Sequence, residues 1–150
     1  MKNKALFTSN SDEWETPQDL FDQLNKEFNF TLDVCASDSN YKCKKYYTKT
    51  DNSLEKNWKN NTCWMNPPYS RKLQPLFIKK AKETSDFGFT VVCLLPARTD
   101  TKIFHDYIYK KPNVEIRFIK GRLKFSGAKD NAPFPSMIVI FYTGKNKRYI

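Results

Sequence analysis

The stretch Phe-Thr-Val-Val-Cys-Leu-Leu at residues 89–95 decides the fold class. It contains no charged side chain, and its β-branched and aliphatic residues are typical of a strand that is buried on both faces. Strands of this kind occur in parallel sheets that helices cover on both sides. Residues 89–95 are therefore predicted to form a central strand of an α/β domain.

Five further strands are predicted around this stretch, where apolar and β-branched residues form short runs. They cover residues 30–36, 45–48, 62–66, 114–119 and 137–142. Because helical patterns alternate with these runs, the sheet should be mostly parallel, and ligands gather at the carboxyl ends of the strands in such sheets. We expect Asp33, Asn66 and Pro96 at such ends.

Three helices are predicted between the strands. The first covers residues 17–28, since a threonine offers an N-cap hydroxyl there and a proline fits the first helical position. The second is expected to begin at Pro75 and to end at about residue 84. The third should follow an N-cap at Thr99 or Asp100.

The composition is that of a single globular domain. Of 150 residues, 39% are hydrophobic and 15% aromatic, which suffices for one hydrophobic core. No repeat or linker divides the sequence, so one domain over residues 1–150 is expected. The first ten residues lack the apolar region of a signal peptide, and no stretch approaches a membrane span. We therefore expect a cytoplasmic protein with no membrane partner.

The charge balance points to a polyanionic partner. Twenty-six Lys and Arg against sixteen Asp and Glu give a formal charge of +10, which attracts nucleic acid first and an acidic membrane surface second. Lysine-rich faces that only keep a small protein soluble are the alternative. A further, independent observation is needed to choose between them.

The four cysteines are predicted to be free thiols. Cys35, Cys43, Cys63 and Cys93 form no C-x-x-C pair and have no histidine close in sequence, so their spacing matches neither a zinc site nor a redox motif. Reduced thiols in apolar runs fit a reducing cytoplasm. No bound metal is expected.

Chemistry is expected at the tetrapeptide Asn66-Pro67-Pro68-Tyr69, directly after an apolar strand. Two prolines hold the backbone extended and leave its carbonyl groups free to accept hydrogen bonds. The Asn66 side-chain oxygen and the Pro67 carbonyl can together accept from an exocyclic amine of a base. Tyr69 offers a ring on which an extruded base can stack. A Pro-Pro turn that merely ends a strand is the alternative.

The tetrapeptide resembles the [Asn/Asp/Ser]-Pro-Pro-[Tyr/Phe] motif of amino-methyltransferases that act on nucleic acids. Five further blocks resemble the phage-type DNA N-6-adenine methyltransferase (Dam) family, at residues 14–17, 32–36, 51–58, 95–101 and 121–125. The resemblance implies a Rossmann-like methyltransferase sheet, mostly parallel with an antiparallel C-terminal strand. It also implies methyl transfer from S-adenosylmethionine to the N-6 amine of a flipped adenine in double-stranded DNA. For a phage-encoded chain the location would be the host cytoplasm.

The resemblance further implies which residues bind the cofactor. Asp33 would approach the methionine part of S-adenosylmethionine and Asp51 its adenosine part, with Asp33 as a helix cap or turn acceptor being the alternative. The other residues of this pocket would be Trp14, Thr16, Pro17, Cys35, Ala36 and Asn66. Many methyltransferases carry a glycine-rich turn after the first strand, whereas residues 33–37 contain no glycine.

Basic residues beside the tetrapeptide are the candidates for contact with DNA phosphates. These are Arg71, Lys72, Arg122 and Lys124. His105, the single histidine, is interpreted as structural or exposed, and no general base is required because the methylated amine can lose its proton to solvent.

Several alternatives stay open at the level of the sequence. A catalytically silent DNA-binding protein on the same fold is one, and methylation of an RNA adenine, a cytosine or a protein glutamine is another.

Overall fold

A six-stranded sheet forms the centre of the protein in a computed structural model that describes residues 14–143. Its strand order is β2-β1-β3-β4-β6-β5. In sequence order the strands are β1 (Leu32–Ala36), β2 (Lys45–Thr48), β3 (Cys63–Met65), β4 (Val91–Pro96), β5 (Val114–Phe118) and β6 (Ser136–Phe141). All six lie where the sequence predicts them, within two residues at each end.

The sheet is mostly parallel, as predicted. Strands β2, β1, β3 and β4 run in the same direction, so their carboxyl ends meet at one edge of the sheet. Strand β6 runs antiparallel to both β4 and β5. Every residue of β4 is buried, in agreement with the uninterrupted apolar run that predicts this strand.

Within residues 14–143 three α-helices cover the sheet, α1 (Gln18–Phe28), α2 (Leu73–Asp86) and α3 (Lys102–Tyr107), and a short 3-10 helix covers Ser53–Glu55. Their starts differ from the prediction. The N-cap of α1 is Pro17, without a side-chain cap. Helix α2 begins before Pro75, which is tolerated because the N–H groups of a first turn have no partner within the helix.

The N-cap of the third helix is Thr101, one residue after Asp100 and two after Thr99, the two predicted positions. The hydroxyl of Thr101 accepts a hydrogen bond from the Phe104 N–H, at 3.3 Å. Thr99 instead offers its carbonyl to the ring of His105, whose Nε2 lies 2.8 Å away. The exposed His105 therefore has a local structural contact, in agreement with its interpretation from the sequence.

Two apolar clusters lie on opposite faces of the sheet. On the first face, Trp58 and residues of α2 and α3 such as Phe77 and Phe104 pack against the strands. On the second face, Phe21 of α1 packs with Trp64 and with residues of the tetrapeptide and of the segment before β6; among these are Tyr69, Phe125 and Ala132. We call this second face the α1 face.

The cysteines are free, as predicted. Burial raises the pKa of all four thiols, so the neutral form dominates near neutral pH. Within residues 14–143 no cluster of His, Cys, Asp and Glu side chains could hold a metal ion. No helix in the same range is both long and apolar enough for a membrane span.

Candidate active site

The tetrapeptide directly follows β3, which pairs with β1 on one side and β4 on the other. It therefore lies in the middle of the edge where the four parallel strands end. Open α/β sheets bind their ligands in the crevice at this edge. Pro67 and Tyr69 are buried, whereas Asn66 and Pro68 are half-buried.

The side-chain amide of Asn66 has a defined orientation. Its Nδ2 donates to the main-chain carbonyl of Trp14 and to the Thr16 hydroxyl, 3.0 Å away. A carbonyl only accepts, so the nitrogen and not the oxygen must face this carbonyl. The Oδ1 atom consequently points away from Trp14. It is buried, and it has no hydrogen-bond partner among the described residues.

Tyr69 lies inside an aromatic enclosure that we define by Trp14, Phe125 and Phe134. Its ring meets Phe134 at 5.5 Å and Phe125 at 6.3 Å, both close to edge-on. Its hydroxyl donates to the Leu94 carbonyl at 3.3 Å, and the ring is only 5% exposed. Burial raises the pKa of Tyr69, so the hydroxyl stays protonated. The ring expected to face a base is thus covered in this conformation.

Trp14 and Thr16 are held beside Asn66 by the segment before β6. The Trp14 ring contacts Phe125 and Phe134 at 5.3 and 5.2 Å. Ser126 Oγ donates to the Thr16 carbonyl at 3.1 Å, and Glu15 forms an antiparallel bridge with Ser126. The structure thus brings the predicted residues Trp14 and Thr16 together with the tetrapeptide, and Pro17 follows them as the cap of α1.

Asp33 lies inside β1 and not at its carboxyl end as expected. The Asp33 side chain is buried. In the sheet, Asp33 lies between Tyr46 of β2 and Trp64 of β3. The carboxylate accepts from the Cys35 N–H at 3.2 Å and from the Lys42 N–H at 3.0 Å. Burial raises its pKa to about 6, although both hydrogen bonds and the charge of Lys42 act in the opposite direction.

The turn after β1 does not require glycine. Cys35 and Ala36 end the strand and are half-buried, and the Ser37 N–H donates to Asn40 Oδ1 at 2.7 Å. None of residues 34–44 has a positive φ. Because L-residues adopt negative φ without strain, the glycine-free sequence fits this backbone.

Asp51 lies apart from the other predicted site residues. It is exposed in the turn after β2, and its Oδ2 accepts from the N–H and the hydroxyl of Thr48. These hydrogen bonds lower its pKa. Strand β1 separates β2 from β3, so a ligand would have to extend along the sheet edge to contact both Asp51 and Asn66.

The four predicted phosphate contacts are all exposed. Arg71 and Lys72 immediately precede α2, and Arg122 and Lys124 lie in the irregular segment between β5 and β6. Both pairs thus flank the aromatic enclosure. The loop that contains Ser126 and Phe134 was predicted only as a candidate for reading bases, and the contact of Phe134 with Tyr69 was not predicted, since nothing in the local sequence indicates such packing between distant residues.

The fold and the position of the tetrapeptide at the carboxyl edge of the parallel strands define a Rossmann-like methyltransferase domain. The sequence model of the family described as DNA N-6-adenine-methyltransferase (Dam) matches residues 3–150. The chain belongs to this family.

Individual relatives agree with this membership. The chain is 33% identical to a DNA N-6-adenine-methyltransferase of Haemophilus phage HP1 over 140 residues, which are 89% of this chain and 80% of the relative. It is 38% identical to a protein of the same name from Escherichia phage T1 over 95 residues, 62% of this chain and 39% of the relative. A putative methyltransferase of Escherichia coli, YfdM, is 37% identical over 65 residues, 39% of this chain and 71% of that protein.

The raised pKa of Asp33 predicts a specific pH dependence of stability. The pKa is about 6 in the folded protein and about 3.9 in an unfolded chain. The stability that this group contributes is complete below pH 4 and is lost as the pH rises to 6, with a total change of about 3 kcal/mol. In Asp33→Asn this decline should be absent. Urea unfolding of both proteins from pH 4 to 7 measures the difference.

Asp51→Asn is the control for this experiment. The pKa of Asp51 is lowered, so its contribution has the opposite sign and is lost as the pH falls. If the free energy of unfolding changed equally with pH in the parent and in Asp33→Asn between pH 4 and 6, the raised pKa of Asp33 would be contradicted.

Proposed function

We propose that this protein transfers the methyl group of S-adenosylmethionine to the exocyclic N-6 amine of an adenine in double-stranded DNA. The observation that carries the proposal is the Asn66 Oδ1 atom, a buried acceptor without a partner in the described chain, at the carboxyl edge of the sheet. Membership of the Dam family and the names of the phage relatives support adenine in DNA as the target.

Asn66 and Pro67 act on the target amine in this proposal. The lone pair of an exocyclic amine is delocalised into the ring, and two acceptors that hold its hydrogens localise charge on the nitrogen. Asn66 Oδ1 is one acceptor and the Pro67 carbonyl is the other. The hydrogen bonds from Nδ2 to Trp14 and Thr16 fix the direction of Oδ1 before a substrate binds, which is the preorganisation that transition-state stabilisation requires.

The residues around Asn66 suit the cofactor that a methyltransferase needs. When bound, S-adenosylmethionine supplies an activated methyl group on a sulfonium. The buried carboxylate of Asp33 can accept from its ammonium group, and the Trp14 ring offers an apolar face. The remaining members of the proposed pocket are Thr16, Pro17, Cys35, Ala36, Asp51 and Asn66.

A base must leave the duplex to reach this site. Tyr69 is the proposed stacking partner, and its ring is enclosed by Phe125 and Phe134. Base entry therefore requires the segment between β5 and β6 to move away from Tyr69. The exposed Arg122 and Lys124 on this segment can contact phosphate at the same time, as can Arg71 and Lys72 beside the tetrapeptide.

Replacing Asn66 by alanine should abolish most methyl transfer. The acceptor acts mainly as charge develops, so single-turnover transfer should fall about 100- to 1,000-fold, similar to the loss of an oxyanion-hole donor. Asn61→Ala is a control, because its Nδ2 also donates two hydrogen bonds, to the carbonyl groups of Trp58 and Lys59. Both variants should lose similar stability, whereas Asn61→Ala should retain transfer. A single-turnover transfer rate of Asn66→Ala within threefold of the parent rate would refute the role of Asn66 as an acceptor.

Substitutions of Tyr69 should separate its ring from its hydroxyl. Tyr69→Phe loses the hydrogen bond to Leu94 and about 1 kcal/mol of stability, but it should still stack on an extruded base. Tyr69→Ala should not. With 2-aminopurine at the target position, fluorescence should rise on binding of the parent and of Tyr69→Phe. An equal rise with Tyr69→Ala would exclude this role.

The recognised DNA site should be short. We propose that residues 1–150 contain no separate target-recognition domain, so base edges are read by the loops at residues 37–45 and 124–135. Two short loops specify few base pairs, and a monomer should recognise about four or fewer. Affinity should fall steeply with salt because phosphate contacts dominate. Mapping of methylated adenines in a host without other adenine methylation tests this. A strict site of six or more pairs read by a monomer is the contrary result.

A further inference from the structure

Three buried side-chain atoms in residues 14–143 have no hydrogen-bond partner: Asn66 Oδ1, Gln74 Nε2 and Ser136 Oγ. Buried polar atoms are paired in the large majority of cases, so each exception requires an explanation. All three lie towards the same edge of the sheet. Asn66 follows β3, Gln74 is in the first turn of the helix after the tetrapeptide, and Ser136 opens β6 opposite Pro96, the last residue of β4.

Ser136 lies on the same face of the sheet as the tetrapeptide. Side chains alternate along a strand, so Ser136 shares its face with Ile138 and Ile140, which belong to the cluster that contains Tyr69. Gln74 differs, because helical spacing puts it on the face of α2 that carries Phe77 and Ile78, on the opposite side of the sheet. Of Gln74 and Ser136, only Ser136 therefore shares the α1 face with Tyr69.

We propose that Ser136 is a specificity-determining residue whose hydroxyl donates to a ring nitrogen of the adenine held by Asn66. This assignment rests on the proposed function. Strand β4 separates β3 from β6, and the register continued by one residue puts Asn66 level with Leu94 and Ile138, two residues from Ser136. Two interstrand spacings of about 4.8 Å and a rise of about 6.7 Å therefore separate the two Cα atoms by roughly 12 Å. A purine with one hydrogen bond of about 2.9 Å at each end, together with the length of the two side chains, spans such a distance. A serine hydroxyl can donate to any ring nitrogen that is not protonated.

The backbone holds Ser136 in place while the chain before it is free of regular structure. The Ile119 N–H donates to the Ser136 carbonyl at 3.1 Å, and the Ala97 N–H donates to the Pro135 carbonyl at 2.8 Å. Phe134 packs on Tyr69, and Ser136 itself is 1% exposed. Displacement of Phe134 would therefore uncover Tyr69, and Phe134 is only two residues before Ser136 in the chain.

A structural role and a recognition role for Ser136 predict different results. An unpaired buried hydroxyl lowers stability, so Ser136→Ala should melt at the same temperature as the parent or higher. If the hydroxyl contacts the base, kcat/KM for transfer to adenine in duplex DNA should nevertheless fall about tenfold. Ser85→Ala is the control, because Ser85 is equally buried but its hydroxyl donates to the Lys82 carbonyl at 2.8 Å. Ser85→Ala should lose stability and keep its transfer rate.

The contacted atom can be identified with substrates in which carbon replaces one ring nitrogen, namely 1-deaza-, 3-deaza- and 7-deazaadenine in the same duplex. For one of these three substrates, the effects of the substrate change and of Ser136→Ala on kcat/KM should be non-additive. The substrate change should lower kcat/KM of the parent about tenfold, whereas it should not lower kcat/KM of Ser136→Ala any further. The other two should affect parent and variant equally.

Three results would overturn the proposal. They are transfer by Ser136→Ala within twofold of the parent, additive losses for all three deaza substrates, and a melting temperature of Ser136→Ala clearly below that of the parent. Failure of the proposed function is distinguishable, because the parent itself would then transfer no methyl group to adenine in DNA.

Discussion

The two hydrogen bonds from the Asn66 amide to the segment before α1 are the constraint on which the candidate site depends. The Trp14 carbonyl accepts one of them and the Thr16 hydroxyl the other. They join the end of β3 to a segment about fifty residues earlier, and they settle which way the amide is turned. The same segment presents the Trp14 ring to Phe125 and Phe134, so one short stretch both orients the acceptor and closes the enclosure around Tyr69.

Much of this architecture follows from local sequence patterns. The apolar run in β4 has a buried environment along its whole length, and a tetrapeptide with two prolines after an apolar run can lie only where a strand ends. Features that depend on contacts between distant residues were not predictable in the same way. The Thr16 hydroxyl, expected to cap α1, instead accepts from Asn66, because a side chain fifty residues away competes for it. The enclosure of Tyr69 has the same origin.

The position of Asp33 shows a second limit of sequence patterns. A carboxylate in an apolar run suggested a strand end, yet Asp33 lies within β1 because the Cys35 and Lys42 N–H groups donate hydrogen bonds to its carboxylate there.

The scarcity of glycine restricts the backbone less than expected. In the part of the chain that the structure describes, left-handed backbone occurs at five non-glycine residues, four of them asparagines: Asn29, Asn52, Asn60, Lys110 and Asn113. Asparagine tolerates this conformation better than most residues, so turns elsewhere in the chain need few glycines.

The insertion of the last strand between β4 and β5 has a consequence for how the chain matures. During synthesis, the four parallel strands emerge first and can pair among themselves, but β4 keeps an open edge until β6 arrives. Pairing of β6 also brings Phe134 onto Tyr69 of the tetrapeptide, by closing a loop of about forty residues back onto β4. Such non-local pairing forms slowly. The crevice beside Tyr69 is consequently among the last parts of the molecule to be completed, and a nascent chain that stops short of β6 presents Asn66 without its surroundings.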